Sequence, residues 1–159
     1  ILHWAHPRPF FFEAAMRLST YFTLEELTAS GYAARRGVSN IPGNIELDNL
    51  KYTAQQLDRV RALLGCPVLV SSGYRSPAVN TAIGGAKNSQ HMLGQAVDFT
   101  SPSFGNPEQV AKAIASSNIP FDQLILEYGQ WVHISFTTVH PRGEILTINR
   151  EGTHKGMKA

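Results

Sequence analysis

The stretch Ser89-Gln90-His91-Met92-Leu93-Gly94-Gln95-Ala96-Val97-Asp98 places a histidine and a carboxylate around a glycine. On one continuous strand His91 and Asp98 would lie on roughly opposite faces, and the spacing does not enforce contact on a helix either. Gly94 is therefore the expected bend that brings both groups to one point, so that the segment reads as loop, turn and strand. Further along, Trp131-Val132-His133-Ile134-Ser135 carries a second imidazole at its centre. Two imidazoles and one carboxylate form a donor set that can hold a catalytic zinc ion and leave one coordination position open for water. These residue types point to hydrolytic chemistry, with His91, Asp98 and His133 as the metal ligands.

Outward from that stretch the chain divides into alternating helical and strand-like runs. Thr23 followed by Leu-Glu-Glu-Leu has the form of a capping box, with Thr23 as N-cap and Glu26 three residues on, opening a short helix that ends near Gly31 or Gly37. From about Glu46 to Leu64, the residues Leu47, Leu50, Ala54, Leu57, Val60 and Leu64 recur at helical spacing until Gly65 and Pro67 stop the run. That helix should cover the core. Pro67 to Ser72 and Gln95 to Thr100 read as strands, Pro77 to Ile83 and Pro107 to Ser117 as helices. Gln123 to Glu127, Trp131 to Phe136 and Glu144 to Ile148 read as the closing strands. Helices first and strands mostly later predict an α+β domain with a small, mostly antiparallel sheet flanked by helices.

The chain has 159 residues, of which 43% are hydrophobic, enough for one compact domain and too few for a second of normal size. A net charge of +2 is too mild for a nucleic-acid partner, although it would not repel an anionic wall polymer. No run approaches the ~20 apolar residues of a membrane span, so stable membrane insertion is not expected. Residues 1–19 lack an initiating methionine and the basic start plus apolar run of a secretory signal. They read as an extension outside the catalytic unit, non-native or disordered, with Met16 a candidate start and His3 and His6 as solvated histidines. The catalytic domain is placed at 20–150 and a polar tail at 151–159. Cys66, the single cysteine, cannot form an internal disulfide and is expected to be a buried core thiol. His140 and His154 are expected to face solvent.

The stretch at 89–98 matches all five positions of SxHxxGxAxD, and the chain resembles the zinc peptidases that carry this signature. These include D-Ala-D-Ala carboxypeptidases, VanX-type D,D-dipeptidases and phage L-alanyl-D-glutamate endopeptidases. Ser71-Ser72-Gly73-Tyr74-Arg75-Ser76-Pro77-Ala78-Val79-Asn80 is similar to the family's strand and arginine-bearing turn, and residues 121–136 to the hairpin that carries its last zinc ligand. With the three segments in order, the likeness spans about Tyr21 to Ile148. It implies the Hedgehog and D-Ala-D-Ala-peptidase type of fold, one zinc ion, and the stem peptides of bacterial peptidoglycan as partners of a monomeric enzyme acting at the cell wall or periplasm. Whether the cut is a carboxypeptidase or an endopeptidase cut stays open. So does a reading from a different class, a non-catalytic zinc-containing wall-binding or virion structural protein on the same scaffold.

The chain departs from the family at two places. Many relatives carry a catalytic glutamate three residues before the final histidine, where this chain has Gln130, and a neutral amide cannot accept a proton from water. Glu127 is the nearest carboxylate. If Tyr128, Gly129 and Gln130 form a three-residue hairpin loop, Glu127 pairs opposite Trp131 on the sheet face of His133, whereas a two-residue loop turns it away. Glu127 is thus the expected general base. Trp131 stands where some carboxypeptidase relatives have a second histidine, which makes it a candidate wall of the substrate cleft and tilts the reading toward the endopeptidase branch. Arg75 is expected to bind a substrate carboxylate or the oxyanion. Ser89, Tyr74 and Gln90 complete the candidate substrate-binding set.

Overall fold

The computed structural model describes residues 16–158. His3 and His6 lie outside them. The described chain begins earlier than the expected domain start: Leu18 is buried in the core, and Ser19 donates its hydroxyl to Asp58 over 2.8 Å. Helix α1 (Leu24–Thr28) opens on the capping box read from the sequence, with Thr23 and Glu26 satisfying each other's backbone donors. It ends at Ala29, and Ser30 caps a second short helix, α2 (Gly31–Arg36), which finishes at Gly37. The single helix expected here is therefore two, because Ser30 offers its own side-chain acceptor to the N–H of Ala33.

Helix α3 (Asn44–Leu64) buries Leu50, Thr53, Ala54, Leu57, Val60 and Leu64 along one stripe, and Gly65 closes it in the left-handed conformation. Strand β1 (Leu69–Ser72) leads through Gly73 and Arg75 into α4 (Pro77–Ala82). The metal-ligand stretch follows as a 3-10 turn (Gln90–Leu93), Gly94 at φ 72°, and β2 (Ala96–Thr100). Helix α5 (Pro107–Ala115), capped by Asn106, precedes β3 (Gln123–Glu127), β4 (Trp131–Ser135), β5 (Glu144–Asn149) and β6 (Gly152–Lys155).

The six strands form one sheet in the order β1-β2-β4-β3-β5-β6. All neighbours are antiparallel except β3 and β5. After β4 the chain crosses the start of β3 and runs back beside it in the same direction, with the N–H of Gly143 on the carbonyl of Phe121. The α+β expectation holds. Residues 151–159, read as a polar tail, carry β6, and the Thr147 hydroxyl donates to the Gly156 carbonyl beyond it. Cys66 is half-buried and outside the core cluster, so the expected core thiol is corrected: Pro67 and the exposed end of β1 leave it at the rim. His140 is exposed, whereas His154 is partly covered and meets Asn149 at 3.1 Å.

Strand alternation separates two faces of the sheet. Val97, Phe99, Leu124, Val132 and Ile134 point into the core with α3 and α5. Asp98, Gln123, Ile125, Glu127, Trp131, His133 and Ile148 line a cleft on the other face. Each buried aliphatic or aromatic side chain contributes roughly 1.5–3 kcal/mol, so the helix layer anchors the sheet that presents the cleft.

Candidate metal centre and active-site cleft

Asp98 on β2 and His133 on β4 are directly opposed in the sheet register, so the pairing itself puts both side chains on one face. The Asp98 Oδ1 lies 2.9 Å from Nδ1 of His133 and 3.3 Å from Nε2 of His91. His91 arrives from the 3-10 turn, which Ser89 caps by accepting the N–H of His91 at 3.2 Å. Ligand atoms of the three residues all lie within 4.8 Å of one another, and no other group of three or more His, Cys, Asp or Glu among the described residues comes together in this way.

The tautomer of His91 decides how well a metal fits. Its Nδ1 is 2.7 Å from the carbonyl of Gly73, an acceptor only, so the ring donates from Nδ1 and Nε2 is the atom left to face the cluster. Nε2 faces the Asp98 carboxylate oxygen at 3.3 Å, a contact bridged by a proton on the ring or, once that proton is displaced, by a cation shared between the two. Two imidazole nitrogens and one carboxylate oxygen are a suitable donor set for a divalent ion such as zinc. Burial alone would raise the pKa of Asp98; hydrogen bonds from His133 and His91, together with their charge, outweigh it and hold the carboxyl well below its ordinary range.

Glycine is required twice in this frame. A Cβ on Gly73 would collide with the carbonyl of Leu27 in α1, so the backbone that orients His91 can approach only without a side chain. At Gly94 a Cβ would meet the carbonyl of Glu46 in α3, and φ 72° disfavours any other residue. Helix α3 holds the turn from the same side: the buried Thr53 hydroxyl donates to the Gly94 carbonyl at 2.8 Å, and Asn49 donates to that of Leu93. Asn40 fixes the arginine-bearing turn, donating to the carbonyls of Thr28 and Tyr74 and accepting the N–H of Ser76 at 2.7 Å. None of these three anchors was foreseen. Their bonds reach across 34 to 44 residues to Tyr74, Leu93 and Gly94, and a side-chain amide or hydroxyl gives no local sign of such a partner.

The hairpin has the three-residue form. Glu127 pairs with Trp131, Tyr128 and Gly129 are left-handed at φ 55° and 63°, and the N–H of Gln130 returns to the Glu127 carbonyl at 2.9 Å. Glu127 therefore faces the cluster, its Oε1 3.9 Å from Nδ1 of His133. Gln130 is exposed at the loop and does not line the cleft. Burial raises the pKa of Glu127 and the charge of Asp98 adds to this, against the opposing pull of His133 and Arg75. A raised carboxyl pKa brings it nearer the range where a base exchanges protons at neutral pH.

The cleft measures about 530 Å³. Arg75 lines it, donating to the Ser89 hydroxyl at a long 3.4 Å, while its Nε is buried without a partner. Burial lowers the Arg75 pKa, and the carboxylates of Asp98 and Glu127 pull it back. Ser89 thus orients the metal turn and also borders the cleft. Trp131 forms part of the wall, with its ring 5.7 Å from that of Tyr128. Gln90 lines the cleft too, although its amide nitrogen is engaged by Asp122 at 2.9 Å. Tyr74 is corrected: it is 5% exposed, packs in the core cluster and does not border the cleft, because the turn after β1 points it inward and sends Arg75 outward.

A triad of two buried histidines and a partly covered aspartate, with a carboxylate and a guanidinium beside it in one cleft, defines a hydrolase-type metal site. Comparison with known proteins agrees with that class. The family model described as Peptidase M15 matches residues 20–135, and the chain belongs to the peptidase M15 family. Among curated proteins it is similar to the zinc D-Ala-D-Ala carboxypeptidase of Streptomyces albus G, with 36% identity over 78 residues. That match covers 48% of this chain and 29% of the relative, so the chain spans less than a third of the relative it matches.

Proposed function

We propose that this protein is a zinc-dependent peptidase that hydrolyses amide bonds in the stem peptides of bacterial peptidoglycan, with His91, Asp98 and His133 as the metal ligands. Membership of the peptidase M15 family and the named activity of the Streptomyces relative support the substrate class. The observation that carries the catalytic reading is the Glu127 carboxylate 3.9 Å from the His133 Nδ1, on the cleft face of the sheet.

A zinc ion held by His91, Asp98 and His133 would supply Lewis acidity, lowering the pKa of a water toward neutrality and polarising a carbonyl. Glu127 accepts the proton of the attacking water on its carboxylate and returns it to the leaving amine. Arg75, whose side chain lines the cleft, stabilises the negative oxygen that develops on the scissile carbonyl or holds a substrate carboxylate. Ser89 keeps both the arginine and His91 in place. Trp131 and Gln90 border the substrate.

The finer assignment is an endopeptidase of the endolysin type, acting as a monomer at the cell wall, since Trp131 replaces the second histidine of some carboxypeptidase relatives. No helix among the described residues is long and apolar enough to cross a membrane. The test is release of new amino groups from purified peptidoglycan and from defined stem peptides by the zinc-loaded protein. Internal cleavage supports the endopeptidase assignment, release of only a C-terminal D-residue the carboxypeptidase one, and zinc binding with no amine release a binding role.

A further inference from the structure

The cleft has a second guanidinium, at the end where the chain crosses from β4 to β5. Arg142 lines it and is anchored on the nearly buried Asp122: Nε donates to Oδ1 at 3.0 Å, Nη2 to Oδ2 at 2.7 Å, and the backbone N–H also to Oδ1. Asp122 in turn accepts from Gln90, the neighbour of His91, so the arginine is tied to the metal turn through one carboxylate. Nη1 lies 3.8 Å from Glu144 Oε1, beyond hydrogen-bond reach, and Glu144 already accepts from Gln123 at 2.6 Å. The Arg142 side chain remains 51% exposed and lines the cleft, with Nε and Nη2 held by Asp122 and Nη1 making no hydrogen bond among the described residues.

The charged side chains lining the cleft are Asp98, Glu127, Arg75 and Arg142, a sum of zero that a divalent ion in the triad would make positive. The two carboxylates lie beside that ion, while Arg142 borders the cleft on the Asp122 side. Asp122 and Glu144 offset the charge of Arg142 locally, so its pull on an anion comes from its donor geometry together with the charge of the metal-loaded cleft. We propose that Arg142 is a specificity-determining residue that binds a free carboxylate of an acidic peptide substrate, on a residue flanking the cleaved bond. This rests on the peptidase reading above. A planar, permanently charged donor held by two bonds matches a carboxylate better than a carboxamide, which lacks charge and presents one acceptor.

The test uses two stem peptides that differ only in a free carboxylate or its carboxamide beside the scissile bond, cleaved by the zinc-loaded wild type, Arg142→Gln and Arg142→Lys. The wild type should prefer the acid by about tenfold in kcat/KM, mostly through KM, as for a partly exposed charge-assisted bond. Arg142→Gln should bring that ratio to within about twofold, and Arg142→Lys should keep part of it. Equal rates for the two peptides with wild type, or a ratio unchanged in Arg142→Gln, overturn the proposal. If neither peptide is cleaved, the peptidase reading fails; binding of the same pair, followed by tryptophan fluorescence, then decides this inference by the same ratio in Kd.

Discussion

Gly94→Ala adds one methyl group at the turn that joins the two halves of the metal-ligand stretch. The backbone there has φ 72°, where an L-side chain costs roughly 1–2 kcal/mol. The methyl would also meet the carbonyl of Glu46 and lie 3.1 Å from Cγ of Leu50, an overpacking typically worth about 1–3 kcal/mol. Gly65 is the control, since it has φ 63° and nothing within 4 Å of an added Cβ, so Gly65→Ala carries the backbone cost alone. With a urea m-value of roughly 2 kcal/mol/M, Gly94→Ala should lower the unfolding midpoint by about 1–2.5 M, and Gly65→Ala by about 0.5–1 M. Zinc affinity, measured by competition with a chromophoric chelator, should fall by about tenfold or more in Gly94→Ala and stay at the wild-type value in Gly65→Ala. Equal midpoint shifts and equal affinities in the two variants would refute the idea that α3 holds the metal turn through its contact at Gly94.

Thr53→Val leaves the Gly94 carbonyl without its buried donor and should cost about 1–3 kcal/mol in urea titrations, together with a loss of zinc affinity. Asp122, held at about 2 chiefly by the hydrogen bond from Arg142, ionises more readily folded than unfolded, so it stabilises the fold above its ordinary pKa. That contribution is lost as pH falls from about 4 toward 2; wild type should lose stability over this window more steeply than Asp122→Asn, as read from urea midpoints at successive pH values. Removing zinc with a chelator should lower the melting temperature by about 8–16 °C relative to protein in zinc at a thousand times Kd, since saturation is then worth about 4 kcal/mol.

Patterns of local origin were the legible ones. The Thr23 and Glu26 box, the stripe from Leu50 to Leu64 with its Gly65 stop, and the alternation of β2, β3 and β4 each depend on neighbours within a few residues. The hairpin geometry was legible for the same reason: one residue more or less in its loop decides which face Glu127 takes, and the loop has three. Strand β6 escaped notice because Gly-Thr-His-Lys is polar and pairs with only one neighbour at the sheet edge, so burial leaves no mark on its composition. The parallel pairing of β3 with β5 depends on a crossing connection rather than on either strand's residues. Within the site, the donor triad could be read from residue types, whereas Asn40, Asn49, Thr53 and the latch of Asp122 on Arg142 depend on contacts that only the folded chain makes. Tyr74 misled because it is adjacent to Arg75, and neighbours in an extended turn point opposite ways.

Amine release from peptidoglycan by zinc-loaded wild type, Glu127→Gln and Gln130→Ala, with zinc content measured in each, tests the central claim most directly. The account predicts that Glu127→Gln keeps its zinc and loses activity by about 10²–10⁴-fold, as expected for a general base, while Gln130→Ala stays near wild type. Activity in Glu127→Gln within tenfold of wild type, or no release by the zinc-loaded wild type, would contradict it.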